Sequence, residues 1–392
     1  MSTPPRHTAV VRGLTALACA GTLLLAAACS SADEADTAEA GTGGGSAAAD
    51  VNADALAAVE SDLAEPEPFS APGPALEGVD QVAGKKVLYI PISLQIPAFQ
   101  SVYAAVQEAT GEVGMEVSSC DGKFNPAGVA ACINQALAQD VDVVVLDQVP
   151  LGLAAQGVAQ LQAAGISILV SGQEPAPGTA ELAYLDTGGA EIITSMADWV
   201  TVDSGGKANV LVVAQADSPR QEAYISEGLI PRFEEVCPDC TTTVTTTTAS
   251  QLSQLGTQVS AALLQDPDID YVVSEFDANV SYILQGLQNA PTGEDVKVVS
   301  AIGDIASLER VASGQQAYDA LGSNRWAGWA ITDQVLRMLT GAEPLETSIG
   351  PARAFDSSNI DSVEVDQSSF DDESLWGGDT YTDVYRQVWG LS

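Results

Sequence analysis

From Gly84 onward the chain alternates short apolar runs with segments whose apolar residues recur at helical spacing. KKVLYIPIS is β-branched and aromatic, and PAFQSVYAAVQEATGEVG after it carries a helical stripe. MEVSSC, PAGVAACINQALAQ, VDVVVLDQ, LGLAAQGVAQLQAAG, ISILVSG and LAYLDT continue the strand–helix order. The uninterrupted VDVVVL and ISILV runs are the kind that sheets covered on both faces require. A second series starts at GAEIITSMADWVTVDSG and NVLVVAQ and passes through TTTVTTTT, whose β-branched density favours a strand. DYVVSEFD, VKVVSAIG and AYDALGSN are its later strands, RWAGWAITDQVLRMLTG its last helix, and the tail reads as short extended pieces. Repeated strand–helix units with short connections predict parallel sheets with helices on both faces, and two series predict two Rossmann-like lobes.

The region before Gly84 has a different texture. Arg6 and Arg12 precede an apolar stretch from Leu14 to Ala28 that ends at Cys29, the layout of an export signal over residues 1–28. Residues 29–83 are rich in Ser, Ala, Gly, Pro and acid, which predicts a disordered acidic tether. The segment LLLAAAC resembles a bacterial lipobox, with Ala26 where a large aliphatic residue usually stands. That resemblance implies an acylated Cys29 and a chain held at the outer face of the cell membrane.

Charge and residue counts then narrow the chemistry. Fifty-three acidic residues against 14 basic ones give a net charge of −39, which argues against nucleic acid as a partner. The single histidine, His7, lies inside the export signal. The mature chain therefore offers neither a histidine-dependent nucleophile nor a histidine-containing zinc site, and we expect no metal, no cofactor and no catalysis. Cys120, Cys132, Cys237 and Cys240 remain in a compartment where disulfides persist. Pairing of near neighbours, Cys120 with Cys132 and Cys237 with Cys240, uses all four. CPDC as a redox pair is the alternative, but no thioredoxin-like strand and helix frame it.

The order of the units resembles the type I periplasmic binding proteins, the ribose-binding and LacI-like superfamily, over nearly all of the chain from Gly84. VDVVVLDQVPLGLAAQGVAQLQAAGISILVSG, YLDTGGAEIITSMADWV, VKVVSAIGDIASLERVASGQ and RWAGWAITDQVLRMLTG carry the likeness. It implies two lobes joined by three crossings, with 84–187 plus 325–345 in the first and 188–324 plus 346–392 in the second. It also implies a monomer that closes on a small solute, a sugar or a related molecule, and docks on an ABC permease. A sensory receptor built from the same lobes, or a glycosidase using paired carboxylates, are the alternatives.

In open α/β sheets ligands sit beyond the carboxyl ends of the strands, so candidate binding residues are sought there. In the first lobe these are Gln95, Phe99, Asp147, Gln148 and Gln173. In the second they are Arg220, Phe276, Asp277 and Asp304, with Asn324, Arg325 and Trp326 at a crossing. Asp277 is the leading candidate, Arg325 a cationic donor and Trp326 a stacking wall; helix capping or core packing are their plainer roles. The resemblance also marks two departures toward an apolar cleft. Ile225 stands where sugar binders commonly carry arginine, and Ile302 where they carry an acid.

Overall fold

The computed structural model describes residues 44–173 and 181–391. The export signal, His7, Cys29 and the tether up to residue 43 lie outside them. Among the described residues no helix is long and apolar enough to cross a membrane.

The elements begin with a helix, α1 (Gly44–Leu63). The first lobe then runs β1 (Lys86–Pro91), α2 (Pro97–Glu112), β2 (Glu116–Ser119), α3 (Pro126–Gln139), β3 (Val143–Asp147), α4 (Leu151–Ala163), β4 (Ser167–Ser171) and β5 (Leu182–Leu185). The second runs α5 (Ala190–Asp203), β6 (Asn209–Gln215), α6 (Pro219–Ala223), α7 (Ile230–Val236), β7 (Thr241–Thr247), α8 (Leu252–Gln265), β8 (Tyr271–Ser274), α9 (Val280–Gln288), β9 (Lys297–Ala301), α10 (Ile305–Ala312) and β10 (Tyr318–Gly322). After it come α11 (Asn324–Thr340), β11 (Ala352–Asp356), α12 (Gln367–Asp371) and α13 (Tyr381–Val388).

The first sheet is parallel throughout, in the order β2-β1-β3-β4-β5. The second has the order β11-β10-β9-β8-β6-β7 and is parallel except for the β10–β11 pair. Every residue of β3 and β8 is buried, as continuous apolar runs require. The threonine-rich β7 takes an exposed edge, where a polar β-branched surface is tolerated and discourages pairing with other chains. Both expected disulfides, Cys120–Cys132 and Cys237–Cys240, are formed.

The chain passes between the two sheets' layers after β5, between β10 and α11, and between α11 and β11, and it also does so near both ends, which was not expected. Part of the segment read as a disordered tether is α1, which lies on α5, α7 and β11 of the second lobe. Ala55 and Val59, one helical turn apart, enter the core formed by Ile193, Met196, Val200 and Phe233. The Asn359 Nδ2 amide donates to the Leu63 carbonyl at the helix end, 2.9 Å away. Beyond it the chain crosses over, and Phe69, Leu76, Val79 and Val82 pack into the first lobe.

The tail crosses back in the same way. Leu375 and Trp376 belong to a second-lobe cluster with Leu308 and Phe355, whereas Tyr381, Tyr385, Val388 and Trp389 of and beside α13 lie in the first-lobe core. Trp389 stacks on Trp329 with centroids 5.3 Å apart and planes within 8°. The assignment of all of 346–392 to the second lobe is therefore corrected, because these aromatics find their partners on α11.

The docking of α1 carries a titratable group. Asp62 faces Glu191 and Asp198 of α5, and Glu227, Arg232 and Glu235 from the turn before α7 and α7 itself, around a recess of about 480 Å³. Burial, and then the Asp198 charge, push its pKa up to about 6. A carboxyl whose pKa is higher docked than free binds more protons when docked, so docking strengthens as pH falls through 6 toward the ordinary carboxylate value. Hydrogen-exchange protection of residues 55–63 should be greater at pH 5 than at pH 7.5. In Asp62→Asn that difference should shrink strongly; an unchanged pH dependence in the variant would remove Asp62 as its source.

Candidate functional site

The carboxyl ends of the two sheets meet along the crossings. Asp186, just beyond β5, accepts a hydrogen bond from the Arg220 guanidinium, just beyond β6, at 2.6 Å. The Arg220 guanidinium carbon lies 4.7 Å from the centre of the Tyr224 ring. A side chain at residue 189 would place its Cβ 2.6 Å from the Tyr224 hydroxyl, so any residue larger than Gly189 would have to displace that ring. The first and third crossings are laced by Asp186 N–H to Glu346 O and Ser348 N–H to Asp186 O, each 2.8 Å. Asp186 beyond β5 and Arg220 beyond β6 thus join the strand ends of the two sheets at this crossing, and strand ends are where open α/β sheets hold ligands.

On the first lobe, Gln95 is exposed in the turn after β1 and Phe99 is half-buried in the first turn of α2. Asp147 ends β3, but its carboxylate accepts a hydrogen bond from the buried Tyr89 hydroxyl. Burial pushes its pKa up to about 6, against the effect of that hydrogen bond. Asp147 therefore faces the protein interior, contrary to the expected role. Gln148 has a positive φ of 54°, and its side chain covers Gly172, where a Cβ would sit 2.0 Å from Nε2. Gln173 is buried and donates from Nε2 to the Gly172 carbonyl at 3.2 Å.

On the second lobe the leading candidate is turned inward. Asp277 accepts hydrogen bonds from the Arg310 guanidinium and, at 2.9 Å, from the Ser300 hydroxyl. Burial raises its pKa, with Arg310 acting the other way. Beneath it Asp319 is wholly buried and accepts from Ser307; burial, reinforced by the Asp277 charge, raises its pKa well above the ordinary carboxylate value. Asp304 is exposed and caps α10, accepting the Ala306 N–H at 2.9 Å. Phe276 is half-buried at the end of β8, and Asn324 is half-buried at the start of α11.

Two further expectations are corrected by packing. Arg325 forks onto Glu108 of α2, with contacts of 3.0 and 2.6 Å, and reaches Asp379 at 3.1 Å. It fastens α11 to α2 and the tail and is no cationic donor to a ligand. Trp326 is buried in the first-lobe core, edge-on to Phe69, with its indole against Gly350. An aromatic that follows a helix cap, here Ser323, turns into the lobe once α11 lies on α2.

Sequence reasoning missed Glu275, between β8 and Phe276. It is fully buried, accepts the Gln215 N–H at 2.7 Å, and is pushed up to about 9 by burial; at neutral pH it is a carboxylic acid. The signal was present, because an acid directly after YVVS has nowhere to go but the sheet end. Also unanticipated is the backbone strain. Lys123 and Phe124 after β2, Gln148 after β3 and Ile302 after β9 all adopt the left-handed region, with φ of 54–56°. Non-glycine residues there are uncommon, β-branched ones above all, and such strain gathers at functional sites. Ile302 and Phe124 are 41% and 52% exposed. Among the described residues no group of His, Cys, Asp and Glu could hold a metal ion.

A family model described as a periplasmic binding protein domain matches residues 87–343. No protein in the search of curated proteins matches. Among solved structures, the chain is similar to an ABC sugar transporter subunit from Rhodobacter sphaeroides, with 19% identity, TM-score 0.62, 71% of this chain and 100% of that one covered. It is also similar to a 5-methylthioribose transporter solute-binding protein from Thermotoga lettingae in complex with 5-methylthioribose, with 12% identity, TM-score 0.64, and 79% and 98% coverage. A periplasmic ribose ABC transporter protein from Conexibacter woesei matches at 18% identity, TM-score 0.63, with 73% and 97% coverage.

Proposed function

Because the chain belongs to the periplasmic binding protein domain family, we propose that it captures a small solute, a sugar or a related molecule, between its two lobes outside the cell and delivers it to an ABC permease. The observation that carries this is the junction of strand ends, where Arg220 of one lobe meets Asp186 at the first crossing. Hinged crossings on one side and strand ends on the other make a cleft that a bound solute can hold shut. The function is binding and release, and no residue is assigned a catalytic role. The sequence features at Cys29 support a lipid-anchored monomer at the outer face of the membrane.

Of the candidates, Gln95, Phe99, Gln148, Gln173 and Phe276 remain as groups for the solute, an aromatic and amide set suited to a ring with one apolar face and a few polar edges. Calorimetry and small-angle scattering on a panel of uncharged solutes test the reading. A binder should compact the protein, and Phe99→Ala should weaken it about tenfold, near 1.4 kcal/mol. Asp304→Ala should leave affinity unchanged while lowering stability by about 1 kcal/mol through loss of the cap. Binding without compaction, or a Phe99→Ala protein that binds like the parent, would count against capture between the lobes.

A further inference from the structure

The charged side chains around the strand ends already have protein partners. Asp277 is held by Arg310 and Ser300, Asp304 by the amide of α10, Asp147 by Tyr89, Arg220 by Asp186, and Arg325 by Glu108 and Asp379. Glu275 is sealed inside the second lobe against the Gln215 amide. Beside these groups the second lobe also leaves two hydrocarbon side chains within reach of solvent, Phe276 and Ile302.

That hydrocarbon is arranged. β8 and β9 pair in parallel with Ser274 opposite Ser300, and Phe276 and Ile302 each follow two residues beyond these partners, on adjacent strands. Ile302 is 41% exposed despite its size, and its backbone is pinned in the left-handed region by its N–H to the Ala320 carbonyl, 2.7 Å. Asn, Asp or Gly would suit that conformation better. An apolar, β-branched, exposed side chain in a backbone that disfavours it is explained when the side chain itself has a use.

Resting on the capture reading, we propose that the solute is uncharged and lays a hydrocarbon face, an aromatic or deoxygenated edge of a ring, on the step formed by Phe276 and Ile302. A hydroxyl laid against these two side chains would lose water and gain no partner from them, whereas a C–H face buries itself against both. The amides of Gln148 and Gln173 across the junction supply neutral hydrogen bonds for the polar edge.

Matched ligands separate this from the broader reading. Calorimetry with ribose, 5-deoxyribose and phenyl riboside, with glucose and phenyl glucoside, and with gluconate as a charged member should show a deoxy or phenyl compound binding at least tenfold tighter than its free sugar. Ile302→Asp, which suits the backbone better, should cut that preference by tenfold or reverse it. A free sugar or gluconate binding the parent more tightly than its apolar counterpart overturns the hydrocarbon face and leaves capture standing. An Ile302→Asp protein with the parent's preference does the same. Silence from the whole set, with scattering curves unchanged, removes both.

Discussion

Gly328→Val should lower stability by about 3 kcal/mol or more, the upper end of what overpacking a core costs. Gly328 lies in α11 where that helix crosses α2. A Cβ there would be 2.5 Å from the Ala105 Cβ, 2.7 Å from the Val102 carbonyl oxygen and 2.9 Å from the Val106 nitrogen. Two of those obstacles are backbone, so no rotamer change relieves them, and the helices must separate. Their separation would also loosen Trp326, Trp329 and Ala330, which share the first-lobe core with Val102, Ala105 and Val106. Urea denaturation gives the measurement, and Gly328→Ala should already move the midpoint downward. A valine variant with the parent's midpoint would mean that the close crossing is not required.

The second large effect is expected at Arg337. Its guanidinium meets the Asp333 carboxylate one turn earlier on α11 at 2.8 Å, and both side chains are only 1% exposed. Asp333 also accepts the Trp389 indole N–H at 2.8 Å, so the pair ties α11 to the tail. Burial raises the Asp333 pKa, and Arg337 is the main influence restraining it. Arg337→Leu would leave a buried carboxylate without its cation, which costs about 3–5 kcal/mol. The signature is in the pH dependence. Without arginine the folded pKa of Asp333 rises further above its unfolded value, so the loss is largest at neutral pH and shrinks as acid protonates the group. Urea midpoints at pH 7.5 and pH 5 should converge toward the parent at the lower value. Arg337→Leu combined with Asp333→Leu should recover much of the loss, and failure of both trends would remove the ion pair as the cause.

The sheet strands were legible because their burial is written in consecutive residues: VVVL, ILV and VLVV have no polar face to offer water. The helices at either end were not. Among the α1 side chains described, Ala55 and Val59 are the core residues, in a segment so rich in alanine, glycine and acid that its composition resembles a linker; its order comes from α5, α7 and β11. α13 shows Tyr381, Tyr385 and Val388 at helical spacing, a pattern passed over because the helix is short and its other positions are polar. For the site, the strand ends led to Gln95, Phe99, Gln173 and Phe276, which lie beyond β1, β4 and β8. Side-chain direction was hidden, because the partner that turns Asp277 inward is Arg310 and the one that draws Arg325 away is Glu108, and no local rule couples residues so far apart.

The passage of both chain ends to the opposite lobe dictates an order of assembly. α1 leaves the ribosome first, yet its partners on α5, α7 and β11 are made much later. β1 to β5 complete the first sheet early, but Trp329 gains the face of Trp389 only once residues 381–389 have been made. The lobe begun first is finished last, while the second sheet, from β6 to β11, is complete before the final helix exists. Such long-range closure slows folding and leaves the aromatic face of α11 open during synthesis, where an unfinished core invites association with other chains. A chain that stops short of Tyr381 would keep that face open permanently.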